Sequence, residues 1–286
     1  MSGSDLPAPE NLSFASRDGS ELSGVFYRTP GAKGNALIIH GYADHGGRYV
    51  EVAEKLRGVG LNVMHFDYRG HGKSMGARGY IAKFEDYLQD FEAALETLSS
   101  HGDNLPVLLV GHSNGGLIAL HVLADPFRCP KAIRAAVISS PFLALKLKAP
   151  AKKLFARVAS VLVPKLALPN KLASDLLTHD VDKQKEHGSD PLVHDVASAR
   201  WFTETTAAQE WLEEFAPRIT VPTLWLVSGM DEIADPAQSK KVRQSLVAES
   251  SYHEFPEMHH EVFNEIDREK VFTLMNEFAS GQFPAQ

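Results

Sequence analysis

The chain has 286 residues, of which 44% are hydrophobic and 23% charged, so it holds enough apolar material for a full core and too much for a disordered chain. A formal net charge of -7 offers no global attraction to nucleic acid, and the single cysteine, Cys129, excludes an internal disulfide and is expected as a small buried apolar residue. No basic segment followed by an apolar stretch follows Met1, and no apolar run approaches the ~20 residues that span a bilayer, so a cytoplasmic location is expected.

Leu12–Phe14 and Leu22–Tyr27 flank Asp18-Gly19, two alternating segments around a turn, which predicts an antiparallel pair. Asn35–His40 is a continuous apolar run of the kind a strand covered on both faces shows. A loop from His40 to Tyr49 leads into a helix with apolar Val52, Ala53 and Leu56, and Gly60–Asp67 follows as a strand. After the glycine-rich loop Asp67–Tyr80, residues Phe84, Tyr87, Leu88, Phe91, Ala94, Leu95 and Leu98 repeat at helical spacing. Val107-Leu-Leu-Val110 is the next buried strand, a helix runs from Leu117 to Ala124, and Ala135–Pro141 is a further strand.

The rhythm then breaks. From Phe142 onward there are helical patches, prolines at 150, 164, 169 and 191, and no convincing strand, so residues 142–205 are expected to form a helical cap inserted between core segments 1–141 and 206–286. Val221–Asp231 and Ser251–Phe255 resume the strands, and a closing helix is expected from about Val262 to Phe278. Strands alternating with helices predict an α/β fold, a mostly parallel central sheet with helices on both faces. In such sheets function collects at the carboxyl ends of the strands.

One stretch joins a buried strand to a helix through a single serine. In Gly111-x-Ser113-x-Gly115 the glycines let strand and helix crowd around a sharp turn, and the amides after Ser113 open a helix whose positive end faces the spot where negative charge would develop. A serine hydroxyl is a weak nucleophile and needs a base and a group that orients the base. Of 13 histidines, His260 is favoured because it follows a late strand, with His259 as competitor; the run from His260 to Glu265 reads as a helix start. Asp231 stands at the end of its strand, with Asp235 four residues on. The chain order Ser113, Asp231, His260 is that of the α/β-hydrolases. Backbone amides of Tyr42 and Asn114 are the expected oxyanion donors. Asp67–Arg78 lacks the Lys-Ser/Thr helix start of a phosphate loop, and no His/Cys/Asp cluster has metal-ligand spacing, so neither cofactor nor metal is expected.

Six motifs in order carry a resemblance: His40-Gly41 with His45 and Arg48-Tyr49; Asp67-x-Arg-Gly-His-Gly-x-Ser-x-Gly-x-Arg-Gly79; Gly111-His-Ser-Asn-Gly-Gly116; Asp190-Pro-Leu192; Ser228-Gly-x-Asp231; and His260-Glu261. From about Asp18 to Phe278 the chain resembles the monoacylglycerol lipase and lysophospholipase group of α/β-hydrolases. The resemblance implies Ser113 as nucleophile, Asp231 and His260 as its partners, Tyr42 and Asn114 as oxyanion amides, and the insertion as a cap carrying the acyl-binding wall. Two departures flank the oxyanion site: Tyr42-Ala-Asp44 is bulkier than the small and Gly-Glu residues common there, and Asn114 replaces a Met or other apolar residue.

The expected activity is therefore that of a serine esterase cleaving single-chain acyl esters, monoacylglycerol foremost, through an acyl-enzyme on Ser113. A lysophospholipase or short-chain carboxylesterase is the alternative within enzymes, and a non-catalytic binding protein of the same fold is the alternative outside them. An epoxide hydrolase or dehalogenase would need aspartate where Ser113 stands. Between Pro141 and Ser174 there is no acidic residue, while Lys146, Lys148, Lys152, Lys153, Arg157, Lys165 and Lys171 alternate with leucines, valines and Phe155. That pattern suits either a cap helix packed on the core or a transient contact with a membrane surface.

Overall fold

The computed structural model describes residues 6–146, 150–170 and 172–284, with side chains in the first helix of the insertion from residue 156 onward. The hairpin forms as β1 (Glu10–Ala15) and β2 (Glu21–Tyr27). Then come β3 (Gly34–Ile39), α1 (Val50–Gly58), β4 (Leu61–Asp67), α2 (Glu85–His101), β5 (Val107–His112), α3 (Asn114–Ala124) and β6 (Ile133–Ser139). After the insertion follow β9 (Thr223–Ser228), α7 (Pro236–Ser245), β10 (Ser250–Phe255) and α8 (Arg268–Gln282). The eight-stranded sheet has the order β1-β2-β4-β3-β5-β6-β9-β10. β2 is antiparallel to β1 and β4, and every pair from β4 to β10 is parallel.

Two cores lie on the two faces, because successive strand residues point to opposite sides. Leu37, Ile39 and Leu109 pack with Leu88, Phe91 and Leu95 of α2 and with α3 on one face. Ala36, Ile38, Leu108 and Val110 pack on the other with Val52, Ala53 and Leu56 of α1 and with Val271, Phe272 and Met275 of α8. This two-sided burial is why β3, β4 and β5 read as unbroken apolar runs. β5 lies between β3 and β6 near the middle of the sheet, so its carboxyl end opens onto the loops after β3, β6, β9 and β10.

The insertion holds α4 (Pro150–Leu162), β7 (Ala167–Pro169), α5 (Val181–Ser189), β8 (Val196–Ser198) and the start of α6 (Ala199–Phe215). It contains strands after all: β7 and β8 pair antiparallel, each only three residues long and too short for alternation to register. Residue 205 falls inside α6, whose first turns meet α4 through Ser160 Oγ and Thr203 Oγ1 at 2.8 Å, while Ala208 and Leu212 enter the main core. Leu147, Lys148 and Lys171 lie outside the described residues, as do the side chains of Lys152, Lys153, Leu154 and Phe155.

The closing helix starts later than its apolar pattern suggests. Val262–Asn264 forms only a 3-10 turn and α8 begins at Arg268. Between them the buried Glu265 carboxylate accepts the backbone N–H groups of His259 at 2.7 Å and His179 at 3.1 Å, and the His179 ring at 2.9 Å, which holds residue 265 extended. Cys129 is half-buried against the core edge rather than within it. Among the described residues, no helix is long and apolar enough to cross a membrane.

Candidate active site

Ser113 follows the last residue of β5 and precedes the first of α3, with φ 52° and ψ -117°. A non-glycine residue at positive φ is strained, and this turn is held from several sides. The Ser113 N–H donates to Ser139 O at 2.9 Å, and the Ser113 carbonyl accepts from Phe142 N at 2.9 Å. The flanking glycines are required by space: a Cβ on Gly111 would lie 2.6 Å from Gly115 O, and one on Gly115 would lie 2.1 Å from Ile39 O. Helix and strands therefore touch backbone to backbone, leaving Ser113 at the mouth of the sheet.

His260 and Asp231 come to it from the loops after β10 and β9. The Ser113 hydroxyl lies 2.8 Å from His260 Nε2, and His260 Nδ1 lies 2.6 Å from Asp231 Oδ2. Asp231 Oδ1 accepts the N–H groups of Ile233 and Ala234, each at 2.8 Å, so both carboxylate oxygens are engaged and the side chain cannot swing. Because Asp231 only accepts when ionised, His260 carries its proton on Nδ1 and presents Nε2 to the serine. Burial works against the imidazolium, but the adjacent Asp231 carboxylate outweighs it, and the His260 pKa is raised above the ordinary histidine value. Burial likewise opposes the Asp231 anion, and the pairing with His260 brings its pKa below the ordinary value.

Tyr42 follows β3 and Asn114 opens α3, and among the described residues neither backbone N–H has an acceptor. The cap grips the Tyr42 loop: Tyr42 Oη donates to Val196 O at 2.7 Å, its ring stacks on Trp201 at 3.7 Å, and Ala43 O accepts from His194 N at 3.2 Å. Ala43 takes φ 64°, the cost of bending this loop tightly.

Behind His260 lies a buried ion cluster that joins two of the quoted motifs. Arg48 meets Glu261 through two hydrogen bonds of 2.8 and 2.7 Å and Asp44 at 3.1 Å. Asp44 also accepts from His45 N and Tyr49 Oη, and Glu261 from Asn264 Nδ2. Burial disfavours the Glu261 anion, yet the Arg48 guanidinium holds it well below the usual carboxylate range. Removing Arg48 would leave two buried carboxylates without their counter-charge, at roughly 3–5 kcal/mol. The cluster thus fixes Glu261, and with it the neighbouring His260. His45 Nε2 donates to Asp190 Oδ2 at 2.8 Å, so a third motif ties core to cap.

Ser113 and His260 line a cavity of about 570 Å³ between sheet and cap. Phe142, Leu145, Leu166, Leu172, Leu177 and Ile233 make it largely apolar, and Asp44, His187 and Glu261 form a polar end. No lysine or arginine among the described residues lines it.

The competing residues are elsewhere. His259 Nδ1 bonds to Asp175 O at 2.9 Å and its ring packs on His179, so it serves the cap contact. Asp235 caps α7 by accepting from Ala237 N at 3.0 Å. The Asp67 loop is braced from within: Asp67 accepts from Gly46 N and Lys73 N at 2.8 Å each. Among the described residues, no group of three or more His, Cys, Asp and Glu side chains is arranged to hold a metal ion. Trp201, Phe142 and His187 are cavity residues that sequence reasoning did not single out, since no local pattern separates a cavity aromatic from a core one.

A mostly parallel eight-stranded sheet, a strained serine at a strand-to-helix elbow, and a histidine and an aspartate from later strand ends define an α/β-hydrolase. The chain belongs to the serine aminopeptidase S33 family, whose profile matches residues 30–267. It is 32% identical over 248 residues to phospholipase YtpA of Bacillus subtilis, which covers 85% of this chain and 93% of that protein. It is 29% identical to the monoacylglycerol lipase of Mycolicibacterium smegmatis, over 84% of this chain and 85% of the relative. The crystal structure of Paleococcus ferrophilus monoacylglycerol lipase superposes with a TM-score of 0.83 at 32% identity, covering 91% of this chain and 99% of that one.

Proposed function

We propose that the protein is a serine carboxylic-ester hydrolase that cleaves monoacylglycerols to fatty acid and glycerol, with Ser113 as nucleophile, His260 as general base and Asp231 as its orienting acid. The observation that carries this reading is the continuous Ser113–His260–Asp231 hydrogen-bond chain opening onto the apolar cavity. His260 Nε2 takes the Ser113 proton as Oγ attacks the ester carbonyl, and the backbone amides of Tyr42 and Asn114 receive the oxyanion. The imidazolium then protonates the departing alcohol. A water, deprotonated by the same nitrogen, releases the fatty acid. The single acyl chain would run among Leu145, Leu166, Leu172 and Leu177 under a cap taken as residues 142–205.

The polar end favours a neutral head group. Asp44 and Glu261 carry two negative charges against the one positive charge of Arg48, so a phosphate held at this end would meet repulsion. This supports monoacylglycerol over lysophospholipid. We place the protein in the cytoplasm, with reversible contact at membrane surfaces through the cap.

Product release from monoacylglycerol, lysophosphatidylcholine, p-nitrophenyl esters and aminoacyl naphthylamides, by wild type and Ser113→Ala, tests this. Monoacylglycerol should be the best substrate, and Ser113→Ala should lose about four to six decades of kcat with its thermal midpoint kept. A variant retaining a tenth of the rate would remove Ser113 from its role, and faster cleavage of the naphthylamide would replace the esterase reading.

A further inference from the structure

Gly41 O, on the carbonyl side of the peptide whose N–H belongs to Tyr42, accepts two hydrogen bonds from buried side chains. Tyr68 Oη donates to it at 2.7 Å, and His40 Nδ1 lies at 2.7 Å. The Asn114 side-chain amide reaches Tyr68 Oη at 3.3 Å. The Tyr68 ring stacks on His40, centroids 4.0 Å apart and planes within 9°, and all three side chains are fully buried. Proton counting fixes the direction of the chain. A carbonyl only accepts, so the single phenolic proton lies on the Gly41 side, and Asn114 must present its NH2 to the phenol oxygen. His40 likewise holds its proton on Nδ1, and burial pushes its pKa down, which keeps the ring neutral.

In a trans peptide the C=O and N–H point opposite ways, and no cis peptide occurs among the described residues. Whatever grips Gly41 O therefore aims Tyr42 N–H in the other direction. The grip is needed because residue 41 is a glycine, used where a Cβ would press His112 Cδ2 at 3.2 Å, and glycine permits the peptide to rotate. We propose that Tyr68 and the Asn114 side chain are positioning residues that lock the Gly41–Tyr42 peptide with its N–H turned into the oxyanion site. Asn114 then acts twice: its backbone amide is one oxyanion donor, and its side chain, through Tyr68, holds the other. This gives a use to one of the two departures from the family pattern, and it rests on Ser113 being the nucleophile with Tyr42 and Asn114 as oxyanion amides.

The test compares wild type, Tyr68→Phe, Asn114→Leu, the double variant and Ser113→Ala on a p-nitrophenyl ester, together with inhibition by a trifluoromethyl ketone, whose serine adduct carries an oxyanion. Tyr68→Phe keeps the ring on His40 and loses only the hydroxyl. Its kcat should fall about tenfold with KM within twofold, since the donor matters once charge has developed, and inhibitor affinity should fall in parallel. Asn114→Leu should lose about threefold, and the double variant should be no worse than Tyr68→Phe alone, because the two residues act in series. If Tyr68→Phe does not fold, Asn114→Leu carries the test by the same parallel loss in kcat and inhibitor affinity. Unchanged kcat and inhibitor affinity, a rise in KM alone, or additive losses would overturn the proposal while Ser113→Ala remains dead. Activity surviving in Ser113→Ala would instead sink the underlying reading.

Discussion

His260 is pulled two ways, and which pull wins sets the pH behaviour of the site. Burial disfavours its cation, the Asp231 carboxylate 2.6 Å away favours it, and the balance raises the pKa. Only the neutral ring can accept the Ser113 proton, so kcat/KM should rise with pH along an acid limb lying above the ordinary histidine value of about 6.5. For stability the sign is opposite: the pairing contributes fully below that unfolded value and is lost as pH climbs through the higher folded one. Asp231→Asn removes the charge that raises the pKa and upsets the tautomer. It should cost about four decades in kcat and move the limb of the remaining activity, and the His260 ring-proton NMR titration, to lower pH; a limb that stays put would detach Asp231 from His260. His259→Ala and Asp235→Asn should stay within about tenfold of wild type, a change of ~1.4 kcal/mol, since the first faces Asp175 and the second caps α7, where asparagine also caps.

At the scale of elements the elbow depends on helix α3 meeting β3 without side chains between them. Gly115→Ala would place a methyl group 2.1 Å from Ile39 O, a backbone atom that cannot step aside. We expect about 3 kcal/mol of lost stability, the upper end of what overpacking usually costs, read as a lower urea midpoint, together with lost activity; an alanine variant of wild-type stability would show that helix and strand can separate here. That crowding was legible from Gly111-x-Ser113-x-Gly115 because one short motif holds both its cause and its consequence. The parallel strands were legible for a similar reason, since burial on both faces writes itself as runs such as Ala36–Ile39. What stayed hidden was long-range. Arg48 and Glu261 are 213 residues apart and nothing local in either announces their ion pair, although both stood in the quoted motifs. The start of α8 moved because Glu265 is drawn to His179 and His259, and tertiary bonds of that kind override helical spacing. β7 and β8 went unread because each is stabilised by the other and by its place over the core, not by its own three residues.

On the whole molecule, the cap is fastened to the core along one side and left apolar along the other. His45–Asp190, Tyr42–Val196 and Glu261 N to Leu177 O fasten it around the cavity. Ala156 and Ala159 of α4 face the cavity, as do Leu166 and Leu168 beyond it, whereas Val158, Val161, Leu162 and Val163 are exposed and line no part of it, with Arg157 and Lys165 exposed nearby. From residue 156 on, the described part of the helix therefore packs with one face only, and packing does not account for Val158, Val161 and Leu162. Exposed apolar residues grouped on one segment mark an interaction site, and an apolar face edged by basic residues suits the interface of a bilayer that carries anionic lipid. Insertion of Val161 and Leu162 would contribute roughly 1.5–3 kcal/mol each if fully buried, and basic residues near the surface up to about 1 kcal/mol each. Co-sedimentation with vesicles of phosphatidylcholine alone or with phosphatidylserine separates the two contributions. Val161→Ser/Leu162→Ser should lower binding at least about tenfold on both kinds of vesicle, while Arg157→Glu/Lys165→Glu should lower it only on the anionic ones and only at low salt. None of the four variant residues lines the cavity, so turnover of a dispersed p-nitrophenyl ester should not change, while hydrolysis of monoacylglycerol presented in vesicles should fall with binding. Wild type that fails to sediment with either vesicle in low salt would leave the cap's outer face without a membrane role, and the enzyme would then draw its substrate from solution.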